Sequence, residues 1–227
     1  MLAERLGLPV IVGADRTAAV ARAAALGADC VIADDGFQRL SLARDRSFVV
    51  VDGGGLGNGR CLPAGPLREP LSALADASAV IARGQGAPVA PDLRMTVAPE
   101  ALRGIQNPSE ERPLEWLAGR WVHGVAGTGD PERFFTTLEG AGARVERHPF
   151  PDHHIYKVGE GVYEDGAPLV TTEKDAVKLA EGGVSGWAVR VSAHLEPEPK
   201  AWLQDLPRKG GPSTRETGVT GGRKAGD

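Results

Sequence analysis

The chain has 227 residues, of which 41% are hydrophobic and 25% charged, and its formal net charge is −4. This composition is typical of a globular protein with one large or two small domains, and the acidic balance argues against broad nucleic-acid binding. No apolar run approaches the roughly 20 residues that cross a bilayer, so no membrane segment or secretory signal is expected. Two distant cysteines, Cys30 and Cys61, fit neither a disulfide framework nor a C-x-x-C metal site, which favours a reducing cytoplasm.

The first part of the chain alternates short apolar runs with an alanine-rich segment. Strands are predicted over residues 8–12 and 29–33, with a helix between them over 16–26 that ends at Gly27. Cys30 stands in the second apolar run and is predicted to be a small buried side chain. The order strand, helix, strand predicts an α/β fold with a parallel sheet.

Two adjacent carboxylates follow the second predicted strand, in the sequence Asp34-Asp35-Gly36-Phe37-Gln38. Ligands of parallel α/β sheets bind beyond the carboxyl ends of the strands, where acidic side chains could hold the Mg²⁺ of a phosphate-handling enzyme. Because successive side chains of a strand face opposite ways, Asp34 and Asp35 cannot play the same part. A plain turn is the alternative, since Asp and Gly are common turn residues.

The next predicted strand, residues 47–52, runs into a glycine-rich loop over residues 53–59. That loop lacks the G-x-x-x-x-G-K-S/T pattern, so a flexible loop at the sheet rim is favoured over a phosphate-binding loop. A proline-rich turn over 62–71 follows, in which Arg68 and Glu69 are predicted to open a short helix through residue 75. Arg68 could neutralise a phosphate or be a solvated surface residue.

After a further strand at 78–82, residues 98–113 are rich in Pro, Gly, Asn and charge and are predicted to be a linker. The chain would then divide into a first domain over 1–97 and a C-terminal α/β lobe over 114–206. Residues 207–227 contain almost nothing apolar and are predicted to be a disordered tail.

The C-terminal lobe again alternates strands and helices. Asp130 and Pro131 are a suitable cap and first residue for a helix that ends at Gly140, and Thr172 with Asp175 forms a capping pair for another. The remaining elements are predicted strands at 121–126, 144–148 and 187–191, a strand followed by a helix over 169–179, and a short terminal helix at 199–206.

Two histidines follow an aspartate in Asp152-His153-His154. Adjacent side chains point in different directions and no third ligand has a suitable spacing, so a structural zinc site is disfavoured. A His–Asp pair in acid–base chemistry is the favoured interpretation.

Taken in order, the motifs resemble those of the tetraacyldisaccharide 4′-kinases, the lipid A 4′-kinases. They are Asp-Asp-Gly-Phe-Gln, Leu-Pro-Ala-Gly-Pro-Leu-Arg-Glu-Pro, Gly-x-Gly-x-Pro-x-x-Phe-Phe, Phe-x-Asp-His-His and Thr-Thr-Glu-Lys-Asp-Ala-Val-Lys. The resemblance runs from about residue 8 to residue 206. It implies a P-loop-type kinase domain with a smaller C-terminal α/β lobe. It also implies transfer of the γ-phosphoryl of ATP, with Mg²⁺, to the 4′-hydroxyl of a tetraacyldisaccharide 1-phosphate at the cytoplasmic face of the inner membrane.

The resemblance also assigns residues. Asp34 and Asp35 match the family's acidic pair, which holds Mg²⁺ and fixes the nucleotide end of the site. Asp34 is assigned as metal ligand and Asp35 as a catalytic residue, both bind the nucleotide with Gln38 as a nearby positioning group, and which carboxylate is nearer the metal is left open. Arg68 and Glu69 match the family's Arg-Glu pair facing the cleft. His153 matches the histidine that supports the catalytic base. The motif over residues 171–178 has either a catalytic or a structural role.

Two features of the family are not found in the sequence, the P-loop with its lysine and the Gly-Asp-Glu stretch whose aspartate is thought to be the base. The sheet is therefore expected to be an incomplete P-loop-kinase-like parallel sheet with helices on both faces. Because the P-loop supplies much of the positioning and charge neutralisation, the chain alone is expected to be inactive or nearly so. The explanations left open are a fragment or mis-started gene, a truncated paralogue that binds nucleotide or lipid without catalysis, and completion by another chain.

Overall fold

The computed structural model describes residues 2–52, 56–84 and 89–200. Its α-helices are α1 (Leu2–Leu6), α2 (Arg16–Ala25), α3 (Pro131–Gly140) and α4 (Glu173–Glu181), and 3₁₀ helices cover Leu71–Asp76 and Leu114–Leu117. Its strands are β1 (Phe48–Asp52), β2 (Ala79–Arg83), β3 (Leu93–Gly104), β4 (Glu111–Pro113), β5 (Trp121–Ala126), β6 (Arg144–Pro149), β7 (Leu169–Thr172) and β8 (Trp187–Glu196). None of the helices in these ranges is long and apolar enough to span a membrane.

The strands form one sheet in the order β1-β2-β3-β8-β7-β5-β6, with β4 added beside β3. Strands β1, β2 and β3 run parallel to one another, and so do β8, β7, β5 and β6. The two parallel groups meet at β3 and β8, which are antiparallel. The predicted α/β class is confirmed, but the sheet is mixed, and the carboxyl ends of the two groups lie at opposite edges.

Helices cover both faces of the second group. On one face Leu138 of α3 packs in a cluster with Val122 of β5 and Val170 of β7. On the other face Leu179 of α4 packs with Val125 and Leu169, which are the strand positions of opposite parity. A smaller cluster joins β2 to β3. The alternation of apolar side chains along the strands therefore gives the sheet an apolar layer on each face, as a helix-covered parallel sheet requires.

The predicted linker over 98–113 contains regular secondary structure. Its first residues belong to β3 and its last three form β4, with a turn between them closed by the Gly104 N–H, which donates to the Glu110 carbonyl at 2.9 Å. Residues 96–99 pair only with residues 191–194 of β8, so a two-stranded ribbon joins the two parallel groups. Proline and charge are tolerated in such a ribbon because much of it faces solvent.

The strands predicted at 8–12 and 29–33 are also wrong. Neither segment pairs with another in the described part of the chain, and Val12 and Ile32 are each 90% exposed. Cys30 is likewise exposed rather than buried. An apolar run becomes a strand only when a neighbouring strand takes up its backbone hydrogen bonds, and these two runs have no such neighbour here.

Of the other local predictions, some agree with the structure, one differs from it, and some fall on residues that the structure does not describe. Helix α2 begins after Asp15, whose side chain accepts from the Ala18 N–H at 3.0 Å, and the chain turns at Gly27 with φ +92°. The helix expected from Arg68 is instead a 3₁₀ helix that begins at Leu71. Part of the glycine-rich loop (53–55), most of the predicted terminal helix (from 201) and the predicted tail lie outside the described residues.

Candidate functional site

The structure brings Asp35 and Arg68 together across 33 positions of sequence. The Arg68 guanidinium donates to the Asp35 carboxylate at 3.2 Å, and the two side chains are 66% and 68% exposed. Such an open ion pair contributes about 0–1 kcal/mol to stability. The contact therefore matters mainly because it places the Arg68 guanidinium beside the Asp35 carboxylate, with both groups accessible to a ligand.

The turn that carries Asp35 is held by contacts within the loop. Asp35 adopts the left-handed conformation, with φ +50°, which an aspartate tolerates better than most residues. The Arg39 N–H donates to the Gly36 carbonyl at 3.1 Å, and Arg44 donates to the Phe37 carbonyl while its guanidinium lies 5.1 Å from the centre of the Phe37 ring. These contacts fix the backbone direction after the two aspartates.

The remaining residues predicted for this part of the site are also at the surface. Asp34 and Gln38 are exposed, and Glu69 is half-buried beside Arg68. Asp34 precedes the left-handed residue, so its carboxylate and that of Asp35 leave the backbone at different angles. The described geometry is thus compatible with different parts for the two carboxylates, as the sequence predicted.

A second polar cluster lies where β6 and β7 end at the same edge of the sheet. The Lys174 ammonium at the start of α4 lies 2.7 Å from Oδ1 of Asp152. The same oxygen accepts from the backbone N–H of His153 at 2.9 Å. These donors, the Lys174 ammonium first, hold the pKa of Asp152 below its usual range despite some desolvation. The carboxylate is therefore ionised at neutral pH.

His153 projects from this cluster into solvent. Its side chain is 80% exposed, its Nε2 lies 3.6 Å from Oδ2 of Asp152, and its backbone has φ +60°. His154, by contrast, is mostly buried and lies 2.8 Å from the Glu160 carboxylate. The two imidazoles thus diverge, as the sequence analysis predicted, and His153 is the one that is accessible to a ligand.

Beneath this cluster lies a buried carboxylate, Asp175. Its Oδ2 accepts from the Gly127 N–H at 2.9 Å and from the Thr172 hydroxyl at 2.8 Å, and its Oδ1 lies 3.3 Å from the Lys178 ammonium. A side chain at Gly127 would lie 3.1 Å from both Asp175 and the Tyr156 hydroxyl, which explains the glycine. Asp175 therefore ties the end of β5 to the start of α4.

The aromatic residue beside this carboxylate is kept neutral. Burial, and next the negative charge of Asp175, raise the pKa of the Tyr156 phenol well above its usual range. Lys178 also donates to the His154 carbonyl at 3.0 Å, which ties α4 to the loop that carries His153. The 171–178 motif therefore has a structural role in the described geometry, and the contact of Lys174 with Asp152 links it to the candidate site.

The sequence analysis did not predict two of these features, the contact between Lys174 and Asp152 and the burial of Asp175. Nothing local connects Lys174 to Asp152, which are 22 positions apart, and only the parallel pairing of β6, β5 and β7 brings them together. The burial of Asp175 was also missed, although its place in the capping pair gave a partial signal, since a capping carboxylate stays close to its own helix end.

Comparisons with known proteins agree on one family. The sequence model of the family tetraacyldisaccharide-1-P 4′-kinase matches residues 1–208. The tetraacyldisaccharide 4′-kinase of Alkalilimnicola ehrlichii is 45% identical over 214 residues, covering 90% of this chain and 62% of that protein. The enzyme of the same name from Methylobacillus flagellatus is 44% identical over 200 residues, covering 86% of this chain and 59% of that protein.

A solved structure leads to the same family. The crystal structure of the "apo" form of LpxK from Aquifex aeolicus in complex with ATP aligns with a TM-score of 0.60 and 31% identity, covering 73% of this chain and 53% of that one. The chain thus spans about three fifths of the length of the curated relatives cited above. With the family model matched over nearly the whole sequence, the chain belongs to the tetraacyldisaccharide 4′-kinase family.

Proposed function

We propose that this chain supplies part of the machinery of an ATP-dependent kinase that phosphorylates the 4′-hydroxyl of tetraacyldisaccharide 1-phosphate, the lipid A precursor. The family match over residues 1–208 carries the proposal. Because the substrate has acyl chains that partition into a bilayer, the reaction is placed at the cytoplasmic membrane surface, with the protein bound peripherally. ATP is the phosphoryl donor, as the ATP complex of the Aquifex aeolicus neighbour suggests.

Asp34 and Asp35 suit a magnesium ion. Mg²⁺ prefers oxygen ligands and usually keeps several waters, and two exposed carboxylates at an open turn offer oxygens without enclosing the ion. We assign Asp34 to the metal and Asp35, with Gln38, to the nucleotide end of the site. When bound, the magnesium nucleotide supplies the phosphoryl group and part of the charge neutralisation.

Arg68 and Glu69 are assigned to the same side of the cleft. Among the described residues the Arg68 guanidinium pairs with the Asp35 carboxylate and remains two-thirds exposed, so it can donate to a phosphate oxygen without leaving Asp35. Glu69, half-buried, is assigned to orienting Arg68 and the turn. Arg68 would bring a positive charge, oriented by Glu69, to the side of the site where phosphate charge accumulates during transfer.

His153 is assigned to the proton of the attacking hydroxyl. A base acts on that proton as the oxygen bonds to phosphorus, and an accessible imidazole can accept it directly or support another base. Asp152, kept ionised by Lys174, lies 3.6 Å from the imidazole and is close enough to orient it.

Phosphoryl transfer in this family also uses the lysine and the backbone amides of a P-loop, and the sequence contains no P-loop motif. We therefore expect the 227-residue chain by itself to show little or no turnover. The direct test is a chimera that joins the part of the Alkalilimnicola ehrlichii enzyme preceding the matched region to this chain. Phosphate transfer from radiolabelled ATP to the disaccharide would be measured for the chain and for the chimera.

The chimera should phosphorylate the disaccharide. In it, His153→Ala should lower the rate about 10²–10⁴-fold, the usual range for a positioned acid–base group. Asp34→Ala should also lower the rate, because it removes the proposed Mg²⁺ ligand. Glu181→Gln, at the exposed end of α4, is the matched control and should leave the rate unchanged. A folded chimera without activity would contradict the proposed function. Full activity in both site variants would contradict the residue assignments, and heat on adding Mg²⁺–ATP without turnover would favour a non-catalytic nucleotide-binding role.

A further inference from the structure

Three potential metal ligands converge on the face of the sheet beneath residues 150–168, in a group that the proposed reaction does not use. His123 of β5 is aligned with Glu146 of the neighbouring β6, and His148 stands two positions further along β6 on the same face. The Nδ1 of His123 lies 3.0 Å from the Nε2 of His148 and 3.6 Å from Oε2 of Glu146. Of the residues that the structure describes, these three form the group whose donor atoms all lie within 4.8 Å of one another.

The outer nitrogen of His123 already has the partner that a metal-bound histidine usually has. Its Nε2 lies 3.0 Å from both oxygens of Asp165. A carboxylate there keeps the proton on Nε2 and leaves the Nδ1 lone pair directed at the other two ligands. The hydrogen bond from His123 also holds the pKa of Asp165 below its usual range, so the Asp165 carboxylate is charged. This contact therefore orients His123 with its Nδ1 toward the other two ligands.

The surroundings protect the group from water on one side only. His123 is 3% exposed, and the Tyr163 ring is stacked on its imidazole with centroids 3.7 Å apart. The His148 side chain is 24% exposed, and its Nε2 lies 3.9 Å from Oε1 of Glu146. Glu146 is about half exposed, which leaves room for water at the open side.

We propose that His123, His148 and Glu146 form a binding site for a divalent transition-metal ion of the zinc class, with water in the fourth position. Zn–N bonds of about 2.0–2.1 Å in a tetrahedron place two nitrogens about 3.3 Å apart, so the observed 3.0 Å requires only a small separation of the rings. Two imidazoles and one carboxylate are a common zinc ligand set. The ion would replace the hydrogen bond between the two imidazoles without altering the contact with Asp165.

The bound ion would have a structural role. It would link β6 to β5 and, through Asp165, to residues 163–168, which connect the His153 loop to β7. A bound ion would therefore stabilise the segment between β6 and β7 as a unit. The inference concerns the fold around the candidate site and holds whether or not the chain takes part in phosphoryl transfer.

Titration of the metal-free, untagged 227-residue chain with Zn²⁺ or Co²⁺ tests this. Calorimetry should show one Zn²⁺ per chain, Co²⁺ should give the intense visible bands of a four-coordinate ion, and saturating Zn²⁺ should raise the melting temperature. His148→Gln and Glu146→Gln should abolish the bands and the shift. Asp165→Asn should weaken binding about 10–100-fold. Each variant must melt like the parent chain in chelator, so that misfolding is not mistaken for loss of the site.

His194→Gln is the matched control, because His194 is exposed on β8 and contacts Ser192 rather than the proposed ligands. It should bind metal like the parent chain. Absence of one-to-one binding by the parent would overturn the proposal. Binding that survives both His148→Gln and Glu146→Gln, or that disappears with His194→Gln, would overturn it equally.

Discussion

Replacing Asp175 with alanine should destabilise the fold strongly, because Asp175 is fully buried and its carboxylate has three polar neighbours. The change removes the acceptor of the Gly127 N–H at 2.9 Å and leaves that donor buried and unpaired, which costs about 1–3 kcal/mol. It also deprives Lys178 of its carboxylate at 3.3 Å. Loss of one partner of a buried ion pair costs about 3–5 kcal/mol, and since Lys178 is partly exposed and can be hydrated, the lower end, about 3 kcal/mol, is expected.

Urea unfolding followed by tryptophan fluorescence measures this loss. With a slope of about 2 kcal/mol per molar urea, a loss of about 3 kcal/mol lowers the midpoint by roughly 1.5 M. Asp175→Asn, which keeps an acceptor for Gly127 but no charge, should fall between parent and alanine variant. Glu181→Gln on the same helix should stay within about 0.5 kcal/mol of the parent. An alanine variant within about 1 kcal/mol of the parent, at unchanged slope, would refute the inferred coupling of β5 to α4.

Two further predictions concern other parts of the same lobe. Gly124→Ala should destabilise the chain by about 1–3 kcal/mol in the same urea assay, because the new Cβ would lie 2.7 Å from a methyl of Val145, whereas Gly129→Ala, with open space around it, should not produce this loss. Lys174→Met should raise the pKa of Asp152 toward the ordinary carboxyl range in an NMR titration, since the ammonium is the main cause of the depression. In the parent, this contact stabilises the loop above the ordinary carboxyl pKa and is lost as the pH falls through the depressed value; an unchanged pKa in the variant would contradict the assigned cause.

Patterns confined to a few neighbouring residues predicted structure correctly. Asp130 caps α3 by accepting from the Arg133 N–H, and Thr172 caps α4 by accepting from the Asp175 N–H. Strands β1, β2, β5 and β6 were also predicted near their observed bounds, and β8 was predicted from its first residue but only over its first half. A capped helix end is decided within one turn, and a buried strand of a parallel sheet shows as a continuous apolar run, so both can be recognised without knowledge of distant residues.

Predictions that depended on distant partners were less successful. The apolar runs at 8–12 and 29–33 are not strands here because no described segment pairs with them. Residues 98–103, inside the predicted linker, belong to a strand because β8 pairs with them. Strand formation is non-local, so composition alone could not decide either case. The His123 group was missed for the same reason, although Glu146 and His148 at alternate positions gave a partial signal.

For the candidate site, the sequence by itself determined which chemical groups are present and to which family their order belongs. The tertiary structure decided which of them meet. Arg68 pairs with Asp35, Lys174 fixes Asp152 beside His153, and the register of β5 with β6 places His123 against Glu146 and His148. Each of these contacts joins residues more than 20 positions apart, and only the packing of the sheet and its loops sets the distance between such residues.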